Sequence, residues 1–233
     1  MLKVTPVLCR AGTMDNYAYI LLDEKSGVAA ILDASEAAPI IAECNKLGIK
    51  PQFLLNTHHH FDHVEGNAEL KNLYNARIVG AAADAHRIDG LDIALNDGDI
   101  FQIGDTDAHI IRADGHTVGH ILWYFPQDKI LFTGDTLFNL SIGGLFEGTP
   151  RQMWDSLQKI KQLPDDVIFY PGHEYTLFGL RGLQGEAGRK YAEKARFRLS
   201  KGLPVAPVSL GEEKQCNPYL LIDNFEEFNA LFD

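Results

Sequence analysis

Four side chains that bind metals stand within six residues: the stretch Thr57-His58-His59-His60-Phe61-Asp62-His63 is His-x-His-x-Asp-His by spacing. Neutral imidazoles suit zinc, and a carboxylate completes a borderline or hard site. The cluster follows the apolar run Phe53-Leu54-Leu55, which has the length and flanks of a buried strand. On successive helical turns these side chains would point all around the helix. On a tight loop at a strand end they converge on one point.

Downstream, His116, His120, Asp135 and His173 are further candidates. His116, Asp135 and His173 each come just after an apolar strand and beside a glycine, which permits the sharp backbone path that aims a side chain back over a sheet. With His58, His60, Asp62 and His63 they make seven ligands. One tetrahedral zinc takes about four, so seven with one shared furnish two cations. Two cations about 3.5–4 Å apart lower the pKa of a shared water towards ~7 and supply hydroxide at neutral pH. Such a hydroxide attacks a carbonyl, with Asp62 orienting it and taking its proton. A thioester suits this chemistry, because a thiol of pKa about 8.5 leaves as thiolate with little need of a general acid. Lactones and phosphodiesters stay open to the same centre. No Gly-x-Ser-x-Gly elbow occurs, and Cys9, Cys44 and Cys216 lie away from the cluster.

Positioning these residues requires a substantial core, and a chain of 233 residues with 45% hydrophobic side chains can build one. The formal net charge of −11 argues against nucleic-acid binding. No run approaches the ~18 apolar residues of a membrane span. Met1 to Gly12 contains Lys3, Pro6 and Arg10 and reads as a first strand, not a secretory signal. An odd number of scattered cysteines without Cys-x-x-Cys predicts no disulfide framework and a reducing cytoplasm. Oligomeric state is not legible.

The pattern predicts a hairpin (Leu2 to Cys9 with Asn16 to Leu22), a strand ending at Asp33, and a helix over Ala37 to Leu47 with Ser35 as N-cap and Gly48 as its stop. Phe53 to Leu55 delivers the histidines. A helix over Ala68 to Tyr74, a strand over Arg77 to Ala81 and a helical turn within Ala82 to Ile88 follow. Strands are predicted over Asp99 to Ile103, Ala108 to Ala113, Ile121 to Phe125, Ile130 to Phe132 and Val167 to Tyr170. Thr149-Pro150 opens a helix with an apolar face of Met153, Trp154, Leu157, Ile160 and Leu163. After Tyr175 strands are expected to vanish. Residues 176 to 201 hold seven basic side chains, Arg181 and Lys194 among them, against two acidic ones. A helix is expected over Glu186 to Ser200, then loop, then a short acidic helix near Phe225 to Phe232. Alternating strands and helices imply an α/β fold, a four-layer αββα sandwich with a small C-terminal helical appendage. Residues 1–175 form the expected catalytic domain and 176–233 a helical substrate-binding region.

The motifs resemble the metallo-β-lactamase superfamily and, within it, glyoxalase II, the hydroxyacylglutathione hydrolases. The likeness rests on the His-x-His-x-Asp-His run, Gly115-His116-Thr117-x-Gly119-His120, Phe132-Thr133-Gly134-Asp135-Thr136-Leu137-Phe138, Phe146-Glu147-Gly148-Thr149 and Gly172-His173-Glu174-Tyr175-Thr176. Pro207-Val208-Ser209-Leu210-Gly211-Glu212-Glu213 and Asn217-Pro218-Tyr219 extend it into the C-terminal region. The resemblance implies two divalent ions, zinc with iron or manganese as alternatives. One takes His58, His60 and His116, the other Asp62, His63 and His173, and Asp135 bridges them. Asp62 and Asp135 carry the catalytic roles. Asp33, His59 and His120 support the ligands. Gly144, Phe146 and Tyr175 stand at the substrate. The family carries a basic residue and an aromatic hydroxyl where this chain has Gly144 and Phe146, and a basic terminal helix where this one is acidic. The implied reaction is hydrolysis of an S-(2-hydroxyacyl)glutathione, such as S-lactoylglutathione, in methylglyoxal detoxification. A mononuclear-iron persulfide dioxygenase or a lactonase on the same scaffold is the alternative.

Overall fold

Strands β1 (Leu2–Cys9) and β2 (Asn16–Asp23) form the expected antiparallel hairpin, with Leu2 opposite Asp23 and Cys9 opposite Asn16. The computed structural model describes residues 1–180, 183, 185–201, 203 and 205–232, so the predicted basic residue Arg181 lies outside the described residues. These divide into two units: Met1–Arg112 with Gly119–Asp128, and Ala113–Val118 with Lys129–Asp233.

In the first unit the hairpin continues into β3 (Ala29–Leu32), β4 (Phe53–Leu55), β5 (Arg77–Ala81) and β6 (Ile93–Leu95), a six-stranded sheet in that order. From β3 to β6 neighbours run parallel. Parallel neighbours need crossovers. Helix α1 (Ala37–Leu47) supplies the first, and the one-turn helix α2 (Phe61–Val64) with α3 (Asn67–Tyr74) the second. The buried stripe of α1, Ala37, Ile40 and Cys44, joins Ile31, Leu54, Leu70 and Ile78 in one apolar cluster. Each fully buried isoleucine or leucine among them contributes about 1.5–3 kcal/mol. Strands β7 (Ile100–Ile103), β8 (Thr106–Arg112) and β9 (Ile121–Phe125) form an antiparallel meander. Phe101 meets Phe53 of β4 and Trp123 of β9 edge to face.

The second unit contains β10 (Ile130–Gly134), a small hairpin of β11 (Leu137–Phe138) and β12 (Ser141–Ile142), and α4 (Pro150–Lys161). Strand β13 (Ile168–Pro171) pairs parallel with β10. Helices α5 (Thr176–Gly179) and α6 (Gly185–Ser200) precede β14 (Val208–Ser209), α7 (Leu210–Cys216) and α8 (Phe225–Asn229). Thr149 caps α4 with a reciprocal box to Gln152, as Thr149-Pro150 predicts. Trp154 of α4 packs on Phe225 and Phe228 of α8.

Three expectations need correction. Ser35 does not cap α1: the N-cap is Glu36, and the Ser35 hydroxyl instead accepts from Arg10 Nε at 3.0 Å. Strands do not vanish after Tyr175, because β14 pairs antiparallel with β13. The segment after residue 204 is not loop up to Phe225, since a second capping box, Ser209 with Glu212, starts α7 there. Among the described residues no helix is long and apolar enough to cross a membrane.

Candidate functional site

In the first unit, β4 hands the chain to Asn56 and Thr57, and three elements pin that exit. Asp33, at the end of β3, accepts from the Thr57 backbone N–H with Oδ1 at 2.8 Å and from the Thr57 hydroxyl with Oδ2 at 2.8 Å. Asn67 of α3 donates to the Asn56 side-chain oxygen at 2.9 Å, and Ile121 of β9 donates its N–H to the Thr57 carbonyl at 2.9 Å. Asp33 sits in the left-handed region at φ 53°, a conformation aspartate tolerates better than most residues. Its three accepted hydrogen bonds hold it there.

The same carboxylate orients the imidazoles. His63 Nδ1 lies 3.0 Å from Asp33 Oδ2. The Thr57 hydroxyl, donating to Asp33, accepts from His58 Nδ1 at 3.0 Å. With the proton fixed on Nδ1, each ring presents the lone pair of Nε2, as metal-binding histidines supported by a carboxylate do. Donor atoms of His58 and His60, of His58 and His63, and of Asp62 and His63 lie within 4.8 Å of each other. Asp62 and His63 belong to α2 and not to an open loop, so a single helical turn follows the three consecutive histidines. Asn16, at the start of β2, donates to Asp62 Oδ2 at 2.9 Å and to the Asp62 carbonyl at 3.1 Å.

His59 and His120 take other places. His59 Nδ1 lies 3.2 Å from Oδ2 of the buried Asp84, whose other oxygen pairs with Arg87. The His120 ring, wholly buried, stacks on His58 at 4.9 Å and 21°.

In the second unit, Gly134 takes φ 46° where the β10–β13 register shifts, which turns the chain sharply and presents Asp135. Asp135 Oδ2 stands 3.4 Å from His116 Nε2 and 3.2 Å from His173 Nε2. His116 Nδ1 donates to the Gly144 carbonyl at 2.8 Å, again leaving Nε2 as the lone-pair nitrogen. A Cβ on Gly143 would fall 1.8 Å from the Asp135 carbonyl oxygen, so no other residue fits that approach. Tyr175 stacks on the His173 ring at 4.6 Å and 15°, and Phe138 meets both edge to face. Phe146 meets His116 edge-on at 5.1 Å while remaining 74% exposed, which leaves its outer face open to a bound molecule.

The donor separations test whether cations fit. In Asp62–His63, His116–Asp135 and His173–Asp135 the acceptor oxygen and Nε2 are 3.6, 3.4 and 3.2 Å apart. These are at or beyond the long edge of an N–H···O hydrogen bond. Two ligands each about 2.1 Å from one ion at a tetrahedral angle stand about 3.4 Å apart. The spacing is that of ligands around a shared cation, and buried carboxylates, Asp33 and Asp62 in the first unit and Asp135 in the second, give each group of histidines a negative potential. The thiols offer no competing nucleophile: burial pushes Cys9 up to about 11, and raises Cys44 and Cys216 as well.

Sequence reasoning missed Asn16, Thr57 and Asp84. Asn16 carried only a turn signal and Thr57 only its place beside the histidines; neither residue type is diagnostic until burial is known.

A family model described as the metallo-beta-lactamase superfamily matches residues 16–173. The chain is 42% identical over 224 residues to a hydroxyacylglutathione hydrolase of Pelagibacter ubique, covering 94% of both chains. It is 42% identical over 224 residues to one of Ruegeria pomeroyi, covering 94% of this chain and 87% of that one. Among solved structures, ETHE1 from Myxococcus xanthus superposes with a TM-score of 0.77 at 23% identity, over 98% of this chain and 89% of that one. The BLEG-1 B3 metallo-beta-lactamase gives 0.71 at 23% identity, over 94% and 99%. The α/β architecture is therefore the fold these structures share.

Proposed function

The chain belongs to the metallo-β-lactamase superfamily and to its hydroxyacylglutathione hydrolase family, and from that membership we propose that it hydrolyses S-(2-hydroxyacyl)glutathione thioesters. S-lactoylglutathione is the leading substrate, cleaved to glutathione and a 2-hydroxy acid in methylglyoxal detoxification. We assign His58, His60 and His116 to one divalent ion, Asp62, His63 and His173 to a second, and Asp135 to both, with zinc as the metal. The observation that carries the assignment is Asp135: a single oxygen stands 3.4 and 3.2 Å from the Nε2 atoms of His116 and His173, the residues assigned to different ions.

When bound, the cations supply a nucleophile from water at neutral pH and polarise the carbonyl. The protein's own groups do the rest. Asp33 and Thr57 keep His63 and His58 in the Nδ1–H tautomer. Asn16 holds Asp62 Oδ2 and so fixes the carboxylate that orients the nucleophile and takes its proton. The leaving thiol departs as thiolate, since its pKa is about 8.5. Tyr175, stacked on His173, and the exposed face of Phe146, beside His116, line the substrate. Gly144 adds open space, for a Cβ there would meet nothing closer than the Phe146 ring at 3.5 Å. Residues 176–233 supply the substrate-binding region of this proposal, and a cytoplasmic location accords with three buried, unpaired cysteines.

Elemental analysis of the purified chain, paired with a thiol-release assay on S-lactoylglutathione, tests the proposal. Two zinc per chain and release of one thiol per ester are expected. A fully metallated chain that leaves the thioester intact overturns the substrate. One iron per chain with oxygen uptake on glutathione persulfide overturns the reaction class.

A further inference from the structure

We infer that Glu213 and Asn217, in the C-terminal segment, are positioning residues that hold the β11–β12 hairpin and, through it, the rings of His116 and His173. The inference rests on the reading of those histidines as metal ligands.

The Ser209–Glu212 capping box sets the start of α7, and the following residue, Glu213, is completely buried. Glu213 Oε2 accepts from the Leu140 N–H at 2.8 Å and from Asn217 Nδ2 at 3.1 Å. Its Oε1 accepts from the Tyr191 hydroxyl at 2.7 Å. Asn217 Nδ2 also faces the Ser141 carbonyl at 3.2 Å and the Phe138 carbonyl at 3.4 Å. One carboxylate and one amide thus reach both strands of the hairpin and its turn. That turn needs such a hold. Leu140 lies at φ 61°, a left-handed conformation that is unfavourable for a leucine, and its N–H is the group Glu213 takes up.

The far side of the hairpin rests on candidate ligands. Phe138 meets the His173 and Tyr175 rings edge to face. Beyond β12, Gly143 passes against the Asp135 carbonyl, and the Gly144 carbonyl accepts from His116 Nδ1. A shift of Leu140 is therefore passed to Phe138 in one direction and to Gly143-Gly144 in the other. Burying a carboxylate to hold a turn is costly, and burial pushes Glu213 up to about 7 against the donors of Tyr191, Leu140 and Asn217 that pull it down. Nothing in the proposed chemistry uses this acid directly, so its placement serves geometry.

The test uses the full-length chain and the variants Glu213→Ala, Glu213→Gln and Asn217→Ala. Zinc affinity is read by chelator competition, and the histidine ring nitrogens by NMR on the zinc-loaded protein. We expect Glu213→Ala and Asn217→Ala to weaken zinc binding roughly 10-fold or more. The His116 and His173 signals should move well beyond those of His58 and His63, which share their ions but not their contact with the hairpin. The kcat for thioester should fall with KM held within about twofold, and Glu213→Gln, which keeps an acceptor for Leu140, should recover most of the loss. Folded variants with wild-type zinc affinity and unmoved His116 and His173 signals overturn the inference, as does uniform movement of every histidine. Should Glu213→Ala not fold, Asn217→Ala and Glu213→Gln decide it by the same signals. If the wild type releases no thiol while zinc affinity still responds, the substrate reading fails and the positioning role stands.

Discussion

Replacing Asp33 by asparagine keeps the shape of the side chain and removes one acceptor. Three donors converge on this carboxylate: the Thr57 N–H at 2.8 Å, the Thr57 hydroxyl at 2.8 Å and His63 Nδ1 at 3.0 Å. An amide cannot serve all three. With its NH₂ towards Thr57 N–H, a buried backbone donor is left unmet. With its NH₂ towards the hydroxyl and His63, the imidazole is relieved only by moving its proton to Nε2, which takes the lone pair from the ligand position. Either conflict costs about 1–3 kcal/mol, the usual penalty for a buried unpaired polar group. For a chain of this size that lowers Tm by about 2–12 °C. Removing the partner of a ligating histidine weakens metal binding by roughly 10–100-fold. We therefore expect Asp33→Asn to hold one metal equivalent much more weakly than the other in a chelator titration, and to lose thioesterase activity in step with that equivalent. A variant whose Tm falls while both equivalents bind as in wild type would refute the reasoning, because Asp33 would then support the fold and not the ligands.

Asn16→Ala removes the donor to Asp62 Oδ2; kcat should fall roughly 10–100-fold with KM little changed in steady-state kinetics. Thr149→Ala deletes the capping box of α4 and should cost about 1 kcal/mol in urea unfolding, with activity per folded molecule unaltered. Glu213 is buried and raised from 4.5 to about 7, by desolvation first and by Glu212 to a lesser degree. The folded state therefore holds the proton more tightly than the unfolded chain does. The resulting stability is fully present below pH 4.5 and is lost as pH rises through about 7, amounting to about 3 kcal/mol. Urea midpoints across that window should slope downward in wild type and flatten in Glu213→Gln; parallel slopes would count against the assignment.

The candidate ligand set stands out in the sequence because metal chemistry demands rare residue types at dense spacing. Few sequences place His58, His60, Asp62 and His63 together by chance, and strand ends with glycine mark His116, Asp135 and His173. Long elements with a clear period were legible as well: α1, α4 and α6 stand where the pattern puts them, to within a residue or so. Most strands of two or three residues were not, β4 with its run of three apolar side chains excepted, since β6, β11, β12 and β14 are too short to display any alternation and exist because a neighbour pairs with them. Ser35 misled for a related reason. A serine before a helix is an N-cap by default, yet Arg10, brought near by the first hairpin, takes its hydroxyl. Of the residues that brace the histidines and carboxylates of the site, Asp33 was legible at its strand end and most others were not. Asn16, Thr57, Asp84, Glu213 and Asn217 are ordinary polar types whose roles arise from burial at long separation in sequence.

The pairing of β14 with β13 has a consequence for how this protein can be cut and recombined. In the second unit β13 has β10 on one side and the short β14 on the other. Removing the C-terminal segment would strip that cover and leave Ile168 to Pro171 as a bare strand edge, with unpaired N–H and C=O groups beside the buried side chain of Phe169. Such an edge is a template for pairing with another chain. A shortened protein would thus be prone to self-association before any question of catalysis arose, and two hydrogen-bonded residues, Val208 and Ser209, stand in the way of that outcome.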